Sequence, residues 1–211
     1  MTSRPRPEPV QVIKERRDRA LDLLVQGVPY TRFMGIDFDR RGDELTALMH
    51  YDEKLIGNPF LPALHGGAIA SFLEVTAILG LSWQSLWDEI ESGRVAPEDL
   101  TPETMPRLPK TIDFTVDYLR TGLPRDSYAR ARVNRSGRRY ASVHVEAWQD
   151  NRARPFAQAT GHFLTPGQGG GQRAGQGAGQ GAGQGAGQGA GQGAGQGAGQ
   201  GAGQDGGARG G

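Results

Sequence analysis

The segment AIASFLEVTAILG, residues 68–80, constrains the fold of this chain more than any other. Ile69, Phe72, Leu73, Val75, Ile78 and Leu79 occupy nearly every direction around a helix. A helix that is apolar all round has to be buried, so the remaining elements must wrap it. One carboxylate, Glu74, interrupts the segment, with only Ser71 and Thr76 as polar neighbours. Glutamate is almost never fully buried unless it is paired, which marks Glu74 as a candidate for chemistry. A His65-Gly66-Gly67 turn stands directly before the helix. Amides at the positive end of a helix form a cradle for a developing oxyanion, so a glycine turn and an acid on one helix point to acyl chemistry.

The wrapping material is legible as strands. Residues 9–27 read as a first helix, opened by Pro9 and stopped by Gly27, and Pro29 then breaks the chain. Residues 35–40 and 44–51 read as a hairpin around Arg41-Gly42-Asp43, and 52–64 as a loop. The central helix runs from about Gly66 towards Glu91, and 93–109, rich in Pro, Asp and Glu, reads as an irregular excursion. Four alternating runs follow at 110–120, 126–134, 138–149 and 154–164, with Ser136-Gly137 and Asp150-Asn151 as turn signals. Strands segregated from a central helix predict an α+β fold, a curved antiparallel sheet around one apolar helix.

From Gly167 onward the chain is almost wholly Gly, Ala and Gln, with an AGQG repeat that helps place 23 of the 34 glycines there. Such a tail has too little apolar surface to offset its ordering entropy and is expected to be disordered. Without it the chain holds 22 basic and 22 acidic side chains. That neutrality does not fit a general nucleic-acid binder. With no cysteine, disulfides, thiolate metal sites and a cysteine nucleophile are excluded. His50, His65, His144 and His162 show no ligand spacing, so no metal is expected. No apolar run is expected to reach the roughly 18 residues of a membrane span, and the N-terminus lacks a signal-peptide core. A cytoplasmic protein with no membrane partner is the expectation.

His65-Gly66-Gly67, the acid nine positions after that histidine, the run TIDFTVDYLRTG from Thr111 and the turn NRSGRRYA from Asn134 together resemble the hotdog fold. They are similar in particular to the PaaI-like (phenylacetate-pathway) acyl-CoA thioesterases. The resemblance covers roughly residues 29–165. It implies three segments: an N-terminal helical part at 1–28, a hotdog thioesterase domain at 29–166 and the tail at 167–211. It also implies hydrolysis of an acyl-CoA thioester with no cofactor, coenzyme A being part of the substrate.

The implied roles fall on named residues. Gly66, with Gly67 as a second candidate, polarises the thioester carbonyl, and Glu74 activates water or attacks the carbonyl directly. Asn58 and His65 are orienting groups, although the family's amide stands six positions before the histidine and Pro59 occupies that place here. Thr111 matches a Ser or Thr that assists the water in some relatives. Coenzyme A contacts fall on Tyr118, Leu119, Arg120, Thr121 and Gly122, and on Arg135, Ser136, Gly137, Arg138 and Arg139. Leu55, Ile56, Phe60 and Leu61 are expected near the acyl group, and 93–109 forms either a lid or a plain surface loop.

Spacing bears on assembly as well. Eight helical residues separate Gly66 from Glu74, about 12 Å at 1.5 Å per residue, whereas reacting atoms must lie roughly 3–3.5 Å apart. Two antiparallel copies solve this, each offering its Gly66 to the other's Glu74, so a homodimer or dimer of dimers is expected. A hotdog hydratase or dehydratase using His65 with Glu74, and a non-catalytic acyl-CoA sensor or carrier, are the alternatives. The single helix before Pro29 is too short for the helix-turn-helix that DNA-linked sensors would need.

Overall fold

The computed structural model describes residues 9–166 apart from 93, 95, 97, 98, 102–104 and 106. The tail at 167–211 and parts of the 93–109 excursion therefore lie outside the described residues. Helix α1, Val10–Gln26, starts after Pro9 and ends at Gly27. It turns Ala20, Leu21, Leu24 and Val25 into the core, while Val10 stays exposed. The expected break at Pro29 is instead a start: a second helix, α2, spans Pro29–Met34 with proline in its first turn. Proline's missing N–H costs nothing there, because first-turn amides lack intrahelical acceptors anyway.

Strands β1 (Ile36–Arg41) and β2 (Glu44–Met49) form the anticipated hairpin. Gly42 turns it at φ 63°, a left-handed conformation that a side chain would strain. The loop read at 52–64 contains a one-turn 3-10 helix, Glu53–Leu55, and a small ladder of β3 (Ile56–Asn58) with β4 (Ala63–Leu64). Helix α3, Gly66–Glu91, follows, and then come β5 (Lys110–Tyr118), β6 (Ser127–Ser136), β7 (Tyr140–Trp148) and β8 (Ala157–Leu164). The main sheet is antiparallel in the order β1-β2-β6-β7-β8-β5, which leaves β1 and β5 at the edges.

Small residues on the inner face let α3 approach this sheet. Ala47, Ala129, Ala147, Ala157 and Ala159 are all buried there, and a Cβ at Gly80 of the helix would lie 3.0 Å from that of Ala131. Phe72, Leu73, Leu79, Leu81 and Leu86 fill the space between the layers, each worth about 1.5–3 kcal/mol of transfer energy when fully buried. By length and composition α3 would pass as a membrane span, contrary to the sequence expectation, yet just over half of its apolar window is buried by its own protein. The helix is not sealed all round. Gly67, Ser71, Glu74 and Ile78, spaced four, three and four apart, form a stripe that the sheet leaves incompletely buried.

Candidate active site around the start of α3

The His65 backbone is extended (φ −63°, ψ 133°), and its Nδ1 accepts the Gly67 N–H at 2.9 Å. The histidine thus caps the helix, and Gly67, the second candidate donor to an oxyanion, is already engaged. Gly66 remains as a first-turn amide with no intrahelical acceptor. Its carbonyl accepts the Tyr118 hydroxyl at 2.8 Å, which holds that peptide against the end of β5. The turn is fastened on two further sides. The His65 N–H donates to the Leu55 carbonyl, and the Leu64 N–H to the Gly122 carbonyl. A Cβ at Gly57 would meet the His65 Cα at 2.7 Å, so β3 lies hard against the capping residue.

Glu74 sits two turns further along the incompletely buried stripe. The Thr111 hydroxyl donates to its Oε1 at 2.7 Å. A short bond from a neutral donor leaves the other carboxylate oxygen able to receive a proton from elsewhere, as a general base must. Thr111 therefore touches the acid itself. β5 runs antiparallel to α3, with Tyr118 at Gly66 and Thr111 at Glu74. On the same stripe, the Tyr30 hydroxyl of α2 donates to Ser71 Oγ at 3.2 Å, one turn before the acid.

Other predicted residues are placed differently. Asn58 Oδ1 accepts the N–H groups of Phe60 and Leu61, so its carbonyl oxygen shapes the β3–β4 turn, the local role such side chains commonly take. Leu55 is only 3% exposed and belongs to the core, whereas Phe60 and Leu61 stand exposed at the turn. Gly122 is buried: its Cβ would press on Ile69, Phe156 and Leu64, so it serves the packing of the helix start. Leu119 and Arg120 donate their N–H groups to the Phe156 carbonyl, and the Arg120 guanidinium holds the Pro155 carbonyl. Thr121 is exposed beside them.

The second group of expected coenzyme A residues occupies the β6–β7 hairpin. There the Gly137 N–H donates to the Tyr140 carbonyl, and Ser136 faces Ala141 in the ladder. Arg135, Arg138 and Arg139 are exposed. This hairpin adjoins Leu164 and hence Lys110, the start of β5, while residues 118–122 lie at and beyond its end. One chain does not bring the two groups together.

A cavity of about 650 Å³ opens where β6 leaves β2, lined in part by Arg17, Phe38, Thr76, Trp83, Trp87 and His144. None of the predicted site residues lines it. Thr76 lies two residues after Glu74, about 200° around the helix at 3.6 residues per turn, so the cavity is on the far side of α3 from the acid.

Residues 61–156 match the family model of the thioesterase superfamily. The medium/long-chain acyl-CoA thioesterase YigI of Escherichia coli is 31% identical over 126 residues, covering 59% of this chain and 78% of that protein. A crystal structure of a Chromobacterium violaceum protein is 32% identical, with a TM-score of 0.50 over 74% of this chain and 98% of its own. The PaaI protein from the phenylacetic acid degradation operon of E. coli shares the fold, with a TM-score of 0.55 at 15% identity over 72% and 95% of the two chains.

Proposed function

The chain belongs to the thioesterase superfamily and is an acyl-CoA thioesterase of the PaaI-like hotdog type, and from that premise we propose that Glu74 and Gly66 do its chemistry across a homodimer. The observation that carries the reading is the run of β5 along α3, with Tyr118 on the Gly66 carbonyl and Thr111 on Glu74. β5 is an edge strand, and an unpaired edge is a template for a second chain. Antiparallel pairing of β5 with its own copy brings the Thr111 end of one strand to the Tyr118 end of the other. The same two-fold brings Glu74 towards Gly66 of the partner subunit. It also unites the 118–122 end of one protomer with the 135–139 hairpin of the other, which gives the two coenzyme A groups a common ligand. Exposed Arg135, Arg138 and Arg139 suit its phosphates.

In this arrangement the Gly66 N–H donates to the thioester carbonyl oxygen and stabilises the charge that develops there. Glu74 takes a proton from water as the water oxygen bonds to the carbonyl carbon. Collapse of the tetrahedral intermediate breaks the C–S bond, and the proton on Glu74 passes to the departing thiolate of coenzyme A. In the direct variant the Glu74 oxygen forms the new bond and water later cleaves the anhydride. Both routes need the carboxylate ionised and oriented, the part assigned to Thr111. His65 holds the glycine turn, and Asn58 shapes the loop beside it.

Glu74→Gln keeps the shape and removes the base. We expect thiol release from acyl-CoA to fall by at least roughly a hundredfold, the scale of general acid–base catalysis, while sedimentation still reports a folded dimer. Turnover at the native rate in that variant would remove the assignment, and a fully active monomer would remove the shared site.

A further inference from the structure

We propose that Tyr118 is a positioning residue of the reaction, its hydroxyl fixing Gly66 so that the Gly66 N–H meets the thioester carbonyl. This rests on the reading of Gly66 as the oxyanion donor. Helix α3 opens on two successive glycines, Gly66 and Gly67, the residue type with the widest backbone freedom. An oxyanion donor has to be held in place before the charge appears, so a donor on a glycine needs restraint from outside. Gly67 is restrained by His65, whose Nδ1 accepts its N–H at 2.9 Å. For Gly66 the restraint is Tyr118, whose hydroxyl donates to the Gly66 carbonyl at 2.8 Å. The preceding carbonyl, that of His65, accepts the Ile69 N–H at 3.0 Å. The carbonyls on either side of the donor amide are thus both tied, one by the helix and one by β5.

The side chain is placed for this work. Its ring stands against Gly66 as well, since a Cβ there would lie 3.3 Å from the hydroxyl oxygen and 3.5 Å from Cζ. Tyr118 is 54% exposed, so water is able to satisfy its hydroxyl and burial does not force the bond. The strand end is itself held, because Tyr118 faces Ala157 in the β5–β8 ladder and the Leu119 and Arg120 N–H groups both donate to the Phe156 carbonyl. A support of this kind keeps a reacting group in place better than a free loop does. The proposed site joins Gly66 of one subunit to Glu74 of the other, so Tyr118 acts in the opposite site from the Glu74 of its own chain. Thr111, on the same strand, touches that Glu74. Each β5 therefore serves both sites of the dimer, one with each end.

The test is steady-state thiol release by Tyr118→Phe, which removes the hydroxyl and keeps the ring on Gly66; a thermal scan and sedimentation verify a folded dimer. Its kcat should fall by roughly ten- to a hundredfold, the scale of a misplaced reacting group. KM and inhibition by free coenzyme A should stay within about twofold, because the interaction lost belongs to the transition state. A raised KM with weaker coenzyme A inhibition at native kcat would make Tyr118 a ligand contact only and overturn the positioning role. Native values of both overturn it outright. Dimers with Tyr118→Phe in one chain and Glu74→Gln in the other, purified through two tags, place both defects in one site and leave the second intact. They should turn over at about half the native rate, as two-fold symmetry requires, far above either homodimer. Turnover no higher than that of the Tyr118→Phe homodimer puts the tyrosine in the site of its own Glu74 and overturns the assignment. Native turnover in the Glu74→Gln homodimer removes the acid alone, and the kcat of Tyr118→Phe then still decides the positioning role.

Discussion

Replacing Thr111 by valine removes one donor and almost no volume. The Thr111 hydroxyl donates to Glu74 Oε1 at 2.7 Å, and both residues are only partly buried. A hydrogen bond to a charged group contributes about 1.5–3 kcal/mol. If the bond orients the carboxylate in the transition state, that range corresponds to a loss of roughly ten- to a hundredfold in kcat. Water can reach Glu74 and replace part of the lost donor, so the lower half of the range is expected. KM should stay within about twofold, because an interaction specific to the transition state is lost without uniform binding. Valine suits a strand, so denaturant midpoints should move little. Thr111→Ser keeps a hydroxyl in reach and should recover most of the rate. The assay is steady-state thiol release with a medium-chain acyl-CoA, paired with urea unfolding of each variant. Native kcat in Thr111→Val, or a Thr111→Ser enzyme as impaired as the valine variant, would refute the orienting role.

Three further outcomes are expected. In Gly161→Ala the new Cβ would meet Phe114 and Phe163 at 2.6–2.8 Å. Overpacking of about 1–3 kcal/mol should outweigh the roughly 0.4–1 kcal/mol gained by restricting the unfolded chain, and chemical denaturation showing a more stable protein would contradict that packing. Gly57→Ala drives a methyl into the His65 backbone, so activity should fall further than stability as the helix start moves, and an unaltered kcat would show that the turn tolerates displacement. The Asp52 carboxyl is held below its ordinary 3.8 by the backbone N–H of Lys54 and then by the Lys54 side chain. A depressed folded value means that its contribution is present above 3.8 and disappears as the pH falls through that lower midpoint. Carboxyl-resolved NMR titration finding Asp52 at or above 3.8 would count against the turn.

What could be read from the chain was whatever contradicted its own surroundings. An acid within an apolar helix stands out because burial and charge conflict, and alternating strands around such a helix leave few architectures. Contacts that join distant segments carry no such local mark. Thr111 and Glu74 are 37 positions apart, and only the resemblance, with no local pattern in either segment, points to Thr111 as a site residue. Tyr118 is expected among coenzyme A contacts, and its hydroxyl also fastens the Gly66 peptide, a contact set by the end of β5 meeting the start of α3. Pro29 shows a different failure. The same residue that ends one helix also favours the first turn of the next, and the sequence signal alone cannot tell which neighbour it serves. That ambiguity hid α2, and with it Tyr30, whose hydroxyl donates to Ser71 on the stripe that carries Glu74. Local chemistry thus marks Glu74 as the candidate acid, while the hydroxyls of Thr111 and Tyr30 reach its helix from segments that meet it only in the folded state.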